Sequence, residues 1–119
     1  MNFSAEQKVT MTIDEILKQC DQLKTEEKRV SSDVYEERVI WADEIDQWNK
    51  VLTGSLGPAI KPAGQKTTPK DFALTVNHGG IFDDQTLFYK NFEEKSILAI
   101  FWPWKNKIYV TLKIVCFQE

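Results

Sequence analysis

Val34-Tyr35-Glu36-Glu37-Arg38-Val39-Ile40-Trp41-Ala42-Asp43-Glu44-Ile45-Asp46-Gln47-Trp48-Asn49-Lys50-Val51-Leu52 is the stretch on which the fold turns. Val34, Arg38, Trp41, Ile45, Trp48 and Leu52 recur by threes and fours, and Ser31-Ser32-Asp33 supplies capping side chains just before them. This spacing predicts a long helix ending at Gly54. A competing reading takes Arg38-Val39-Ile40-Trp41 as extended chain, because it is β-branched and aromatic. Asp43 then caps a shorter helix carrying Ile45, Trp48, Val51 and Leu52. We adopt the long helix as the expectation.

Upstream, Thr12 followed by Glu15 forms a capping box, and Ile13, Ile16, Leu17, Cys20 and Leu23 follow at helical spacing. A first helix over about 13–27 is expected, with the charged run Lys24 to Arg29 as its solvated end. Residues 1–11 show no clear period and read as a flexible or loosely docked tail.

Downstream, residues 54–68 form a Gly/Pro-rich internal loop that crosses from the helical half to the sheet half. Thr68-Pro69-Lys70-Asp71 sets a capping hydroxyl before a proline, so a short helix is expected, closed by glycine at Gly79. The period then changes. Gln85 to Phe92, Ser96 to Trp102 and Lys107 to Phe117 are rich in β-branched and aromatic residues and are separated by turn-length polar segments, which predicts an antiparallel meander. The last run places Ile108, Val110, Leu112, Ile114 and Cys116 on one face and Tyr109, Thr111, Lys113, Val115 and Phe117 on the other. The middle run is apolar throughout, as a strand covered on both faces would be. The predicted architecture is a single α+β domain over 1–119: N-terminal helices packed on a C-terminal three-stranded antiparallel β-meander.

At 42% apolar and 28% charged the chain has a globular composition, which excludes a disordered or fibrous class. The net charge of −3 lacks the broad cationic footprint that a phosphate backbone requires, so nucleic acid is not an expected partner. Charge is unevenly spread, with net −5 over residues 1–54 and +2 over 55–119. No apolar run approaches the roughly 18 residues of a membrane span, and the polar start carries no secretory signal, so a soluble cytoplasmic protein with no membrane partner is expected. Cys20 and Cys116 lack CxxC spacing and lie on apolar stripes, which reads as reduced core thiols.

Two places merit functional attention. His78 is the only histidine and precedes Gly79-Gly80-Ile81-Phe82-Asp83-Asp84, so His78, Asp83 and Asp84 are the candidate acid/base or ligand-binding groups. The structural alternative there is a helix C-cap followed by a turn into the next strand. Neither a metal nor a cofactor is expected, since no further His/Cys pair accompanies His78. A nucleophile elbow and a phosphate loop are both absent, so no catalytic residue is assigned.

Trp102-Pro103-Trp104 is the second place and the more unusual. Proline cannot donate within a ladder and so marks a strand end or bulge, leaving two indoles at a sheet rim. They read either as anchors for a partner, with Tyr89 as a further wall, or as core packed with Trp41 and Trp48. The expected function is a small non-enzymatic module acting through protein–protein contacts, with a homodimer through the sheet's two edges as one form of it. The alternatives are a small-molecule site or enzyme around His78, and an acidic face over residues 33–46 for a basic partner.

Overall fold

The computed structural model describes residues 12–20, 23–93 and 95–118, and the expected tail at 1–11 lies outside them. Thr12 starts the first described helix, α1 (Ile13–Gln19), through the anticipated capping box: its hydroxyl accepts from the Glu15 amide while the Glu15 carboxylate accepts from the Thr12 amide. Ile13, Ile16 and Leu17 face inward. The helix is shorter than expected, because Glu27–Ser31 is a strand, β1, and not a solvated helix end.

The decisive stretch is split. Tyr35–Trp41 forms strand β2, Ala42–Glu44 makes one 3-10 turn, and Ile45–Leu56 forms α2. The long helix is therefore overturned, and the competing reading holds in outline. Ser32 shows why the caps misled. Its hydroxyl accepts from the Val34 and Tyr35 amides and its own amide donates to the Tyr35 carbonyl, so the capping chemistry closes a β1–β2 hairpin instead. A seven-residue ladder to strand β5 (Tyr109–Phe117), from Tyr35 opposite Val115 to Trp41 opposite Tyr109, then holds β2 extended. Helix α2 also runs past Gly54, ending where Gly57 takes φ +84°.

The third helix, α3 (Pro69–Thr75), follows the sequence signal closely, with Thr68 and Asp71 reciprocally capping its start. A 3-10 turn, Val76–His78, extends it to Gly79 at φ +98°. The meander is also found, as β3 (Thr86–Asn91), β4 (Ser96–Pro103) and β5. It is part of a larger object than expected. The sheet has five strands in the order β1-β2-β5-β4-β3, all neighbours antiparallel, so the three-stranded sheet is corrected to five.

The sheet has two unlike faces. Ile40, Phe88, Ile97, Ala99, Phe101, Val110, Leu112 and Ile114 meet α1 and α2 on one of them, around the fully buried Trp48 and Leu52. The same face holds an ion pair, Arg38 to Glu36 at 2.6 Å, whose Arg38 also donates to Thr25. On the other face Ile81, from the chain after α3, packs on Leu87, Leu98, Ile100 and Val115. This second cover is what buries β4 from both sides, and it reaches only part of the sheet.

Both sheet edges are guarded. At β3 the crossing chain adds a bridge, with Lys61 and Leu87 exchanging backbone hydrogen bonds at 3.3 and 2.9 Å. The buried Lys61 ammonium ties that segment down by donating to the carbonyls of Pro62, Asp83 and Gln85. At the β1 edge, Glu27, Lys28 and Arg29 are exposed and the register slips between Lys28 and Val30. Charge and a bulge are common devices against edge-to-edge pairing. No described helix is long and apolar enough to cross a membrane.

Candidate functional site

Strand alternation places Tyr109, Thr111 and Lys113 of β5 on the face that the post-α3 chain covers only in part. In register beside them lie Trp41 and Glu37 of β2 and Trp102 of β4. Pro103 ends β4 opposite Val110, and the chain then reverses through a turn in which the Trp104 amide donates to the Tyr109 carbonyl. Asn106 caps that turn, its side-chain oxygen accepting from the Ile108 and Tyr109 amides. Trp104 is thereby folded back over the sheet.

The Trp104 indole N–H donates to the Thr111 hydroxyl at 2.8 Å, and its ring stands edge-on to Tyr109 at 5.2 Å. Tyr109 in turn meets Trp41 at 4.8 Å, so three rings cross the sheet in a row. The Arg29 guanidinium sits over Trp104 at 5.5 Å. Next to this row, the Lys113 ammonium lies over Trp102 at 4.2 Å, a cation–π contact, with Gly79 and Phe82 closing the far side. Between them runs an open trough of about 590 Å³, lined by Glu37, Trp102, Trp104, Lys105, Thr111 and Lys113 among others.

The charges in the trough are not evenly matched. Glu37 stands opposite Lys113 in the ladder, yet its carboxylate accepts from the Tyr35 hydroxyl at 2.6 Å and lies 3.9 Å from Arg29. Burial, with Glu37 adding to it, holds the Tyr35 hydroxyl well above the usual phenol range. Lys113 has neither an ion-pair partner nor a hydrogen bond among the described residues. Partial burial pushes its ammonium below the usual lysine value, and the Glu37 charge opposes that shift.

Trp102 and Trp104 are thus brought together, each half-buried, on the surface side of the sheet. Trp48 lies under α2 on the opposite side, so the four indoles do not form one core, although Trp41 joins the outer row. Tyr89 is placed elsewhere. It packs beside Phe117 at 6.5 Å, against the Ile81 cluster, and does not line the trough.

The histidine site does not assemble. His78 lies 5.2 Å from the Phe117 ring, Asp83 accepts from the Thr67 amide and hydroxyl, and Asp84 is exposed in the turn leading to β3. No hydrogen bond or ion pair joins His78 to either aspartate, and no group of three or more His, Cys, Asp or Glu among the described residues could hold a metal ion. Burial lowers the His78 pKa from its ordinary 6.5, while the Thr67 amide is the main cause holding Asp83 below the usual carboxylate value. Since folded His78 binds its proton less readily than the unfolded chain does, its contribution to stability is present above pH 6.5 and declines as pH falls through the folded value. NMR titration is expected to place His78 below 6.5 and to give the same value in Asp83→Asn and Asp84→Asn. A drop of one unit in either variant would show a carboxylate partner.

Scanned against protein-family models, curated proteins and solved structures, the chain matches none. The trough therefore has to be read from its own geometry. Sequence reasoning reached its two tryptophans through the proline between them, and it placed Tyr109, Thr111 and Lys113 on one strand face. It missed Glu37 and Arg29, which belong to strands read as helix. Lys61 gave no signal within a Gly/Pro loop. The acidic face expected over residues 33–46 is divided, because Glu36 points into the core and Glu37, its neighbour, points to the trough, while Asp43 and Glu44 stand with Glu26 beside Trp41.

Proposed function

We propose that this protein is a non-enzymatic binding module that engages a protein partner through the Trp102–Trp104 trough. One observation carries the reading: a proline-ended strand and its turn hold two half-buried indoles and a lysine along the border where the cover by the post-α3 chain ends, with an open trough beside them. Rigid aromatic side chains lose little entropy on contact and dominate interface energetics. A different polypeptide is favoured over a second copy joined through strand edges, because one edge is bridged and the other bulged and charged. The His78 alternative has no assembled constellation behind it. Cytoplasmic residence belongs to the same proposal.

Trp104→Ala tests it. The variant is expected to keep the far-ultraviolet circular dichroism and a cooperative thermal transition, while affinity for a partner captured from an extract of its own cells falls about 30-fold, the effect of losing an anchor of about 2 kcal/mol. Phe72→Ala, which removes an exposed ring outside the trough, should capture as the unaltered protein does. Equal capture by Trp104→Ala would remove the trough from the function.

A further inference from the structure

Four features of the trough bear on what it receives. First, its lining includes two lysines, Lys105 and Lys113, and one carboxylate, Glu37. That carboxylate is engaged by Tyr35 and Arg29, whereas neither lysine has an ion-pair partner among the described residues. On a chain of net charge −3 this is a local reversal of sign. Second, Lys113 is half-buried on Trp102, where a charge interacts more strongly with an opposite one than it would in open water.

Third, the acceptor oxygens of the neutral polar side chains are already engaged. The Thr111 hydroxyl accepts from the Trp104 indole, and the Asn106 carbonyl oxygen accepts from two turn amides. A hydroxyl-rich ligand such as a glycan would find rings to stack on and few acceptors left for its hydroxyls, whereas a carboxylate needs only donors. Fourth, Glu26, Asp43 and Glu44 flank the Trp41 end, which would repel a long polyanion such as a nucleic acid while leaving room for a short negative segment.

We infer that the partner inserts a short acidic peptide segment, whose carboxylate is received by Lys113 with support from Lys105, and whose neighbouring apolar side chain packs on Trp104 and Pro103. This rests on the trough being the partner site. The open shape suits an extended peptide better than a drug-sized molecule, which needs a pocket that encloses most of its surface. Lys113 then serves as the charge-reading residue, and Trp104 as the apolar anchor.

The test uses three peptides, acetyl-Gly-Glu-Phe-Glu-Gly amide and its Gln and Lys counterparts, titrated into the full chain while the four indole N–H signals are followed by NMR. The glutamate peptide is expected to move the Trp102 and Trp104 signals saturably, to leave Trp48 unmoved, and to bind about tenfold more tightly than the glutamine peptide at low salt. That preference should shrink several-fold as ionic strength rises. Lys113→Gln should abolish the preference and Lys113→Arg should retain it, both with an unchanged thermal midpoint. Equal affinity for the glutamate and glutamine peptides, a preference for the lysine peptide, or indole shifts given only by an oligosaccharide or an oligonucleotide would each overturn the inference. Should the peptides fail while Trp104→Ala still loses its partner, the ligand chemistry is wrong and the binding site stands. Should Trp104→Ala keep its partner, the site itself is wrong.

Discussion

Trp48→Ala is expected to remove about 3–5 kcal/mol of folding stability, the usual cost of emptying a large buried aromatic site. Trp48 has no exposed surface and stands at the centre of the core between α2 and the sheet, with Leu52 one turn on. A domain of this length has only about 5–15 kcal/mol in total, so the variant should lose a large share of it and melt at a clearly lower temperature. Trp48→Phe separates volume from polarity. The indole N–H of Trp48 has no hydrogen-bond partner among the described residues, so phenylalanine forfeits no bond to them and should cost about 1–2 kcal/mol. Urea denaturation of the three proteins gives both numbers. A loss below about 1 kcal/mol in Trp48→Ala would mean that α2 does not pack on the sheet as described.

Arg38→Ala should be nearly as damaging, for an electrostatic reason. Glu36 is fully buried on the helix side of β2, and Arg38, 2.6 Å away, is its counter-charge. Removing the guanidinium strands a carboxylate in the core, which costs about 3–5 kcal/mol. Replacing both residues with apolar ones of similar volume, Glu36→Leu with Arg38→Met, should restore most of that loss, because a buried ion pair contributes little net stability over a well-packed apolar pair. Glu36 also has one carboxylate oxygen without a hydrogen bond among the described residues, so the pair is incompletely satisfied by them. If Arg38→Ala proves as mild as Arg29→Ala, which removes an exposed arginine, then Glu36 does not occupy the interior.

The same pair explains much of what the sequence concealed. A half-buried strand announces itself by apolar residues at every second position, as β5 does with Val110, Leu112 and Ile114. The inward positions of β2 are Glu36, Arg38 and Ile40, so two of three break the pattern, and the spacing of Val34, Arg38 and Trp41 mimicked a helix instead. Strand β1 offers even less, since all five of its residues are exposed and only the hairpin partner makes them extended. Ser32 was informative and ambiguous, because the chemistry that caps a helix also closes a turn.

Where local chemistry had one solution, the sequence was legible. Thr12 with Glu15 and Thr68 with Asp71 mark helix starts that the structure keeps, and the apolar run at 97–102 lies in a middle strand. The trough was half legible on the same principle. Pro103 must end its strand, and this exposes Trp102 and Trp104 to the rim. The partners that give those indoles their charge environment, Glu37 and Arg29, come from the two strands that could not be read.

The Trp102–Trp104 trough is the surface through which we propose that this protein meets its partner. Amide hydrogen exchange, read by mass spectrometry on the free protein and on the complex captured from its cells, tests it most directly. The account predicts slower exchange on capture over the turn at 104–109 and at Glu37 and Arg29, with peptides from the outer faces of α1 and α2 unchanged. Protection confined to those helices, with the 104–109 turn exchanging as fast as in the free protein, would contradict it.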